Sequence, residues 1–299
     1  ADYAPKGVQF FYFYKNLRHP ELEGYVQAQN MKERFLQLEE AREKLATKIT
    51  WIADTLDDSM QTALKSGPNS LFLISPDGEI VAGSDRIEGN NIREVLAERV
   101  GPVENPTSIS DLDLPRRGRP VGHPNEDSEW GVARPRGMTI LAITPTEPDT
   151  TYYVKLRAEA DRDLMGTGNG RLFLGFYPDP VHNAKWNNLV DPMKYVLSPP
   201  DGVSATPVEG VAKKGPGDED KIPRQFWVDI EGLEHGQEID LALHYYGCTP
   251  DFCVAMTHDY TISLENEKRG SRTFGMNPRP RRGGPGGGAG GRPRGQPGG

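Results

Sequence analysis

The chain has 299 residues, more than one hydrophobic core usually organises, so two domains are expected. Its net charge of -8 is uneven: residues 268–299 carry eight Lys or Arg and no acid, which leaves -16 on the residues before them. An acidic folded part argues against nucleic-acid binding by the domains themselves. The sequence has no apolar run of about 18 residues, so no membrane-spanning helix is predicted.

Residues 1–100 alternate between strand and helix patterns, which predicts an α/β domain. The apolar and aromatic run 8–14 is typical of a strand buried on both faces. The predicted elements that follow are a helix at 28–47, a strand at 49–53, a short helix at 57–64, a hairpin at 71–74 and 79–82, and a helix at 92–100. The first helix is expected to bury the apolar face Met31, Phe35, Leu38, Ala41 and Leu45.

Short motifs in this region resemble the thioredoxin superfamily, and especially its iodothyronine-deiodinase-like branch. The run 11–14 followed by His19-Pro20 is similar to that branch's strand ending in Tyr and its His-Pro or His-Ala pair. The segment 67–70 and the turn 76–78 resemble the superfamily's cis-proline turn and following hairpin. Over residues 7–100 the resemblance implies a cis Pro68 and an active-region role for His19. An ordinary loop histidine is the alternative.

The same region lacks the reactive group of that superfamily. The Cys or selenocysteine follows the first core strand there, whereas residues 1–100 contain no cysteine, so no thiol chemistry is expected in this half. Residue 1 is not Met and no signal peptide is visible, which indicates a processed or trimmed start. We therefore expect an incomplete thioredoxin-like domain. Either its nucleophile-bearing segment has been removed, or the domain keeps the scaffold without the nucleophile; removal is favoured because strand 8–14 would otherwise present an unpaired edge.

Composition separates the rest of the chain into three parts. Residues 101–137, rich in Pro, Arg, Gly and acids, are expected to be a linker. Residues 138–267 are predicted to form an all-β immunoglobulin-like sandwich without helices, in which segment 166–170 is a flexible turn. Residues 268–299 are expected to be a disordered tail that binds RNA or an acidic surface weakly at most. The seven predicted strands are 138–143, 152–158, 171–176, 193–197, 225–230, 239–246 and 254–264.

The second of these strands shows the alternation of a half-buried antiparallel strand. Its polar side is formed by Tyr153, Lys155 and Arg157, set against Val154 and other apolar residues. Such alternation predicts that Lys155 and Arg157 lie on the face away from the sandwich core.

Both cysteines of the chain lie on one predicted hairpin. Residues 241–246 and 260–264 alternate like strands, and segment 249–252, with Pro250, has the composition of a turn. Directly opposite Cβ atoms lie about 4.5 to 5.5 Å apart, and a disulfide needs about 3.5 to 4.5 Å, so Cys248 and Cys253 could form one. A closed loop of about six residues would add roughly 2 kcal/mol of stability.

The hairpin is similar to the amino-terminal periplasmic domain of the disulfide reductase DsbD. The similarity lies in Tyr246-Gly247-Cys248, in Asp251-Phe252 and in Cys253. The loop is one residue shorter than in that family, and the segment 254–256 replaces the Tyr-Pro-Pro that tends to follow the second cysteine. The resemblance implies an immunoglobulin-like fold whose cysteine pair passes electrons to thioredoxin-fold partners.

Three readings of the cysteines stay open at this point. The first is an extracytoplasmic thiol-disulfide redox protein, periplasmic or secreted, with Cys248, Cys253 and His19 as catalytic residues and no cofactor. In it Cys248, which precedes the proline-containing turn, is expected to be the more accessible sulfur. The second is a non-catalytic extracellular binding or scaffold protein with an inert disulfide. The third is a metal site formed by His244, Cys248, Cys253 and His258. Two unrelated free thiols are a further alternative.

Overall fold

A computed structural model describes residues 2–17, 20, 25–67, 69–84, 89–112, 132 and 137–267. Within these residues the chain is mostly β, with few helices. None of the described helices is both long and apolar enough to cross a membrane. His19, Pro68, most of the predicted linker and the predicted tail lie outside the described residues.

The N-terminal region contains the predicted elements in the predicted order. They are β1 (Phe11–Tyr14), α1 (Met31–Leu45), β2 (Thr50–Ala53), α2 (Ser59–Ala63), β3 (Leu71–Ile74), β4 (Ile80–Ser84) and α3 (Gly89–Val100). β1 and β2 pair in parallel, with α1 between them in sequence, and β3 and β4 form an antiparallel hairpin. Among the described strands these are two separate two-stranded sheets, so the thioredoxin-like fold of this region stays a prediction.

The predicted buried face of α1 is confirmed at Leu38 but is otherwise wrong or only half-buried. Phe35 is 53% exposed and Leu45 is also exposed, whereas the buried residues are Glu33, Arg34, Gln37 and Leu38. Polar contacts cause this rotation, because the Arg34 guanidinium pairs with the Asp58 carboxylate at 2.9 Å. Asn30 starts the helix, since its Oδ1 accepts the Glu33 amide at 2.9 Å.

The prediction that the first strand is buried on both faces is also wrong. Phe11 and Tyr12 of β1, and Phe10 just before it, are exposed. β1 has a single neighbour among the described strands, β2, so one edge of it carries no described partner.

The seven strands predicted for residues 138–267 are all present, with shifted ends. The elements are β5 (Thr139–Pro145), β6 (Val154–Ala160), α4 (Arg162–Thr167), β7 (Gly170–Pro178), β8 (Trp186–Asn187), β9 (Lys194–Ser198), β10 (Ser204–Thr206), β11 (Glu209–Val211), β12 (Glu219–Asp220), β13 (Arg224–Glu231), β14 (Glu238–Cys248) and β15 (Cys253–Asn266). Pattern alone missed the short strands β8, β10, β11 and β12, whose two or three residues are too few to show an alternation.

The absence of helices in this part is a further wrong prediction, because α4 precedes the expected flexible turn 166–170 and includes its first two residues. The Asp161 side chain caps α4 by accepting the Leu164 amide at 2.8 Å, and the Leu164 side chain is buried. Gly168, with φ of +71°, ends the helix in the left-handed conformation that glycine adopts without strain. The glycine-rich segment is therefore the end of α4, its C-terminal cap and the connection to β7.

One strand joins the two layers of this part. The sheet order is β10-β13-β7-β6-β5-β15-β14-β9-β11, and β5 pairs with β6 through Thr139 and Ile140 but with β15 through its later residues. Side chains from both halves of the sheet form one core, including Leu156 and Leu174 from one half and Leu243 and Tyr260 from the other. This arrangement is consistent with the predicted β-sandwich.

Candidate functional site

The two cysteines form a disulfide at the tip of the β14–β15 hairpin. Cys248 and Cys253 are directly opposite each other in the antiparallel register. The four residues between them make a tight connection, in which the Thr249 amide donates to the Phe252 carbonyl at 2.8 Å. The predicted hairpin and its disulfide are confirmed.

The two halves of the disulfide differ in exposure. Cys248 is only 2% exposed, whereas Cys253 is exposed. The expectation that Cys248 is the more accessible cysteine is therefore wrong. The reason is the segment before β8, which lies along the end of β14 so that the Lys185 amide donates to the Cys248 carbonyl at 3.0 Å. An incoming thiolate meets Cys253 first.

Exposed apolar side chains lie beside Cys253. Phe252 and Val254 flank it in sequence, and both are exposed. Leu189, which is 72% exposed, follows Asn187, and the Asn187 amide nitrogen lies 3.8 Å from the Cys253 sulfur. These exposed apolar side chains near the hairpin tip offer another protein a surface that it could bury.

The strand β8 holds Asn187 in place beside the sulfur. β8 pairs with β12, and the Trp186 indole nitrogen donates to the Ile222 carbonyl at 2.8 Å. The Arg224 guanidinium lies over the Trp186 ring at 5.2 Å from its centroid. The position of Asn187 is thus fixed by backbone pairing and by a buried aromatic neighbour.

The structure does not assemble the predicted metal site of His244, Cys248, Cys253 and His258. The sulfurs are bonded to each other, and the two histidines lie on opposite faces of the sheet. His244 is exposed, with Nδ1 2.9 Å from the Thr257 hydroxyl. His258 is buried against Tyr152, and burial lowers its pKa. The reason is the register, because His258 stands opposite the core residue Leu243 while His244 belongs to the other face.

Of the three predicted site residues, the structure brings two together. Cys248 and Cys253 form the hairpin disulfide. His19 lies outside the described residues, so its predicted active-region role stays a prediction.

A buried charge cluster joins the N-terminal region to the sandwich, and sequence reasoning missed it. The Lys155 ammonium lies 2.9 Å from the Asp179 carboxylate and 3.1 Å from the Glu33 carboxylate. His182 completes the cluster, with Nε2 3.9 Å from Asp179 Oδ2. The prediction that Lys155 and Arg157 lie on the face away from the core is confirmed, since their apolar neighbours fill the core. The half-buried pattern is wrong, because every residue of β6 is buried. The start of α1 covers the outer face of this strand.

The cluster has defined electrostatics. Burial alone lowers the pKa of Lys155, but the carboxylates of Asp179 and Glu33 outweigh it and raise that pKa. Burial lowers the pKa of His182, although the Asp179 carboxylate opposes the shift. Glu33, Asp179 and His182 each place a potential metal-ligand atom within 4.8 Å of the others. Since the Lys155 ammonium already lies against both carboxylates, we interpret the cluster as an ion-paired joint.

Aromatic contacts connect this cluster to the disulfide hairpin. Phe252, in the connection between the cysteines, packs edge-on against Tyr153 with 5.4 Å between the ring centroids. Tyr153 in turn lies 5.1 Å from the His182 ring. The exposed tip of the hairpin is therefore in continuous contact with the joint between the two parts of the chain.

Comparisons with protein-family models, with curated proteins and with solved structures find no match to this chain. They neither support nor contradict the resemblances to DsbD and to the deiodinase-like branch. The function proposed for the chain therefore rests on its own residues.

Proposed function

We propose that this protein is an extracytoplasmic thiol-disulfide exchange protein in which Cys248 and Cys253 carry two electrons to or from a thioredoxin-fold partner. An immunoglobulin-like sandwich and an incomplete thioredoxin-like region belong to the same proposal. The observation that supports it best is the pairing of the chain's two cysteines at a hairpin tip with Cys253 exposed. Disulfides persist in oxidising compartments, which supports an exported location.

The exchange takes place in two balanced steps. A thiolate of the reduced partner attacks Cys253 Sγ, the bond between Cys248 and Cys253 breaks, and Cys248 leaves as a thiolate that takes up a proton. The partner's second thiolate then attacks its own sulfur in the mixed disulfide and releases the Cys253 thiolate. The partner is oxidised to a disulfide, and this protein is reduced to a dithiol.

The exposure of the two cysteines assigns their roles. In the reverse direction the Cys253 thiolate attacks the partner's disulfide, and Cys248, which is buried next to it, resolves the intermediate. The exposed side chains of Leu189 and Phe252 near the hairpin tip supply contact area for the partner during the mixed-disulfide state.

A binding or scaffold protein with an inert disulfide is the second candidate. The burial of Cys248 favours it, since a half-buried bond is less open to exchange than one exposed on both sides. A closed loop of about six residues stabilises the fold by only roughly 2 kcal/mol, which makes a purely structural use modest.

Single-cysteine variants test the proposed roles. We expect Cys248→Ser, which keeps the exposed sulfur, to form a mixed disulfide with oxidised glutathione at least about tenfold faster than Cys253→Ser. Mass spectrometry of the two time courses gives the ratio. Equal slow rates, together with a potential of the native pair below about -300 mV in a glutathione titration, would favour the inert disulfide.

A further inference from the structure

We propose that Asn187 is a positioning residue for this exchange, and that its side-chain amide stabilises the Cys253 thiolate through an N–H···S hydrogen bond. The inference rests on the proposed function. Its starting observation is the distance of 3.8 Å from Asn187 Nδ2 to Cys253 Sγ, which lies within hydrogen-bond range for sulfur.

The orientation of the amide follows from its other contact. Asn187 Oδ1 accepts a hydrogen bond from the Leu189 backbone amide at 2.9 Å. A backbone N–H can only be accepted by the oxygen, so the NH2 group must be the end that faces the sulfur. The side chain therefore presents a donor to Cys253 whether or not the disulfide is closed.

Main-chain hydrogen bonds hold the backbone around Asn187 against the end of β14 and against β12. The Lys185 amide donates to the Cys248 carbonyl, and β8 pairs with β12 through Trp186 and Asn187. These contacts use main-chain atoms and do not involve either sulfur. Opening of the disulfide consequently leaves the donor in position beside Cys253.

The ammonium on this segment already has a partner. Lys185 Nζ pairs with the Glu219 carboxylate at 2.6 Å. The neutral amide of Asn187 is then the polar donor that lies against the Cys253 sulfur. A hydrogen-bond donor favours the thiolate over the thiol, and the thiolate is both the attacking species and the better leaving group.

The decisive variant is Asn187→Asp, in the Cys248→Ser background. It keeps the oxygen that accepts the Leu189 amide but removes the N–H and adds a negative charge. We expect the thiol of Cys253 to titrate at higher pH, measured by thiolate ultraviolet absorbance. Its reaction with oxidised glutathione at neutral pH should slow by roughly three- to tenfold. Asn187→Ala should change both in the same direction by less.

Asn169→Asp is the matched control. Asn169 also uses both ends of its amide, donating to the Thr167 carbonyl and accepting the Gly232 amide, at a turn without cysteine. It should leave the titration and the rate unchanged.

The inference is overturned if Asn187→Asp has the melting temperature of its parent and its Cys253 thiol also titrates at the same pH and reacts with oxidised glutathione at the same rate. The titration needs no partner protein, so it tests Asn187 even if the native protein fails to exchange with glutathione. That failure would count against the proposed function instead.

Discussion

Lys155 shows at the level of one residue why the charge cluster escaped prediction. Its alternation with apolar neighbours on β6 is the pattern of a solvent-facing side chain. The structure instead buries the Lys155 ammonium between two carboxylates. Asp179 belongs to the same sandwich, whereas Glu33 precedes Lys155 by more than a hundred residues. A contact across that separation leaves no local signal in the sequence.

We expect Lys155→Met to lower the free energy of unfolding by about 3 to 5 kcal/mol, because it leaves two buried carboxylates without their cation. Urea denaturation gives the value. Lys194→Met is the control, since Lys194 pairs with Glu209 at an exposed site and should cost no more than about 1 kcal/mol. Similar losses for the two variants would show that the buried cluster is not energetically special.

Half-buried His182 and buried His258 make stability depend on pH. Burial lowers the pKa of His182, which faces Asp179, Lys155, Glu33 and Lys32, and burial also lowers the pKa of His258. The unfolded chain therefore binds protons at higher pH than the folded chain. The contribution of the two histidines to the free energy of unfolding is fully present above their ordinary pKa of 6.5. It is lost as the pH falls below 6.5 toward the lowered pKa values of the folded protein.

The measurement is the urea midpoint from about pH 8 to about pH 5. We expect the double variant His182→Gln, His258→Gln to show a flatter dependence than the native protein over this range. His244→Gln, at an exposed position, is the control and keeps His182 and His258. A double variant with the native slope would contradict the assignment.

At the level of elements, the strongest patterns predicted the structure best. β14 and β15 alternate in sequence, and their buried and exposed residues alternate as expected. α1 was predicted as a helix, but of its predicted apolar face only Leu38 is buried, because ion pairs and hydrogen bonds of Glu33 and Arg34 outweigh the apolar pattern. α4 was missed because six residues are too short to show a helical period, although Asp161 was available as a cap signal.

The end of α4 provides a test of local geometry. Gly168→Ala should destabilise the protein by more than about 3 kcal/mol, because its Cβ would overlap the Leu233 carbonyl in addition to the left-handed strain. Gly202→Ala is the matched control: Gly202 has φ of +86° with open space around it, so only about 1 kcal/mol is expected. Thermal or urea denaturation compares the two, and equal losses would rule out the steric contribution.

For the whole molecule, sequence reasoning predicted the cysteine site but missed the ion-paired joint between the N-terminal region and the sandwich. Cys248 and Cys253 are close in sequence, so turn chemistry alone brought them together. Their relative exposure could not be predicted, since it depends on the segment before β8 lying over Cys248. The joint needs contacts between two regions that were predicted as separate domains.

Loss of the disulfide should leave the molecule folded. The bond closes a loop of about six residues at the hairpin tip, so the double variant Cys248→Ser, Cys253→Ser should lose only roughly 2 kcal/mol. The main core does not depend on it, because the core residues lie along the strands on the inner face. A urea titration, with the reduced native protein for comparison, would contradict this if either sample were unfolded without denaturant.

β5 belongs to both halves of the sandwich, which bears on how the molecule opens. Its first residues bond to β6 and its later ones to β15, so separation of either half breaks pairing in the shared strand. We expect central amide protons of β6 and β15 to exchange with deuterium at one common opening free energy. The sandwich should thus unfold as one cooperative unit, whereas the exposed tip of the β14–β15 hairpin can open locally before it.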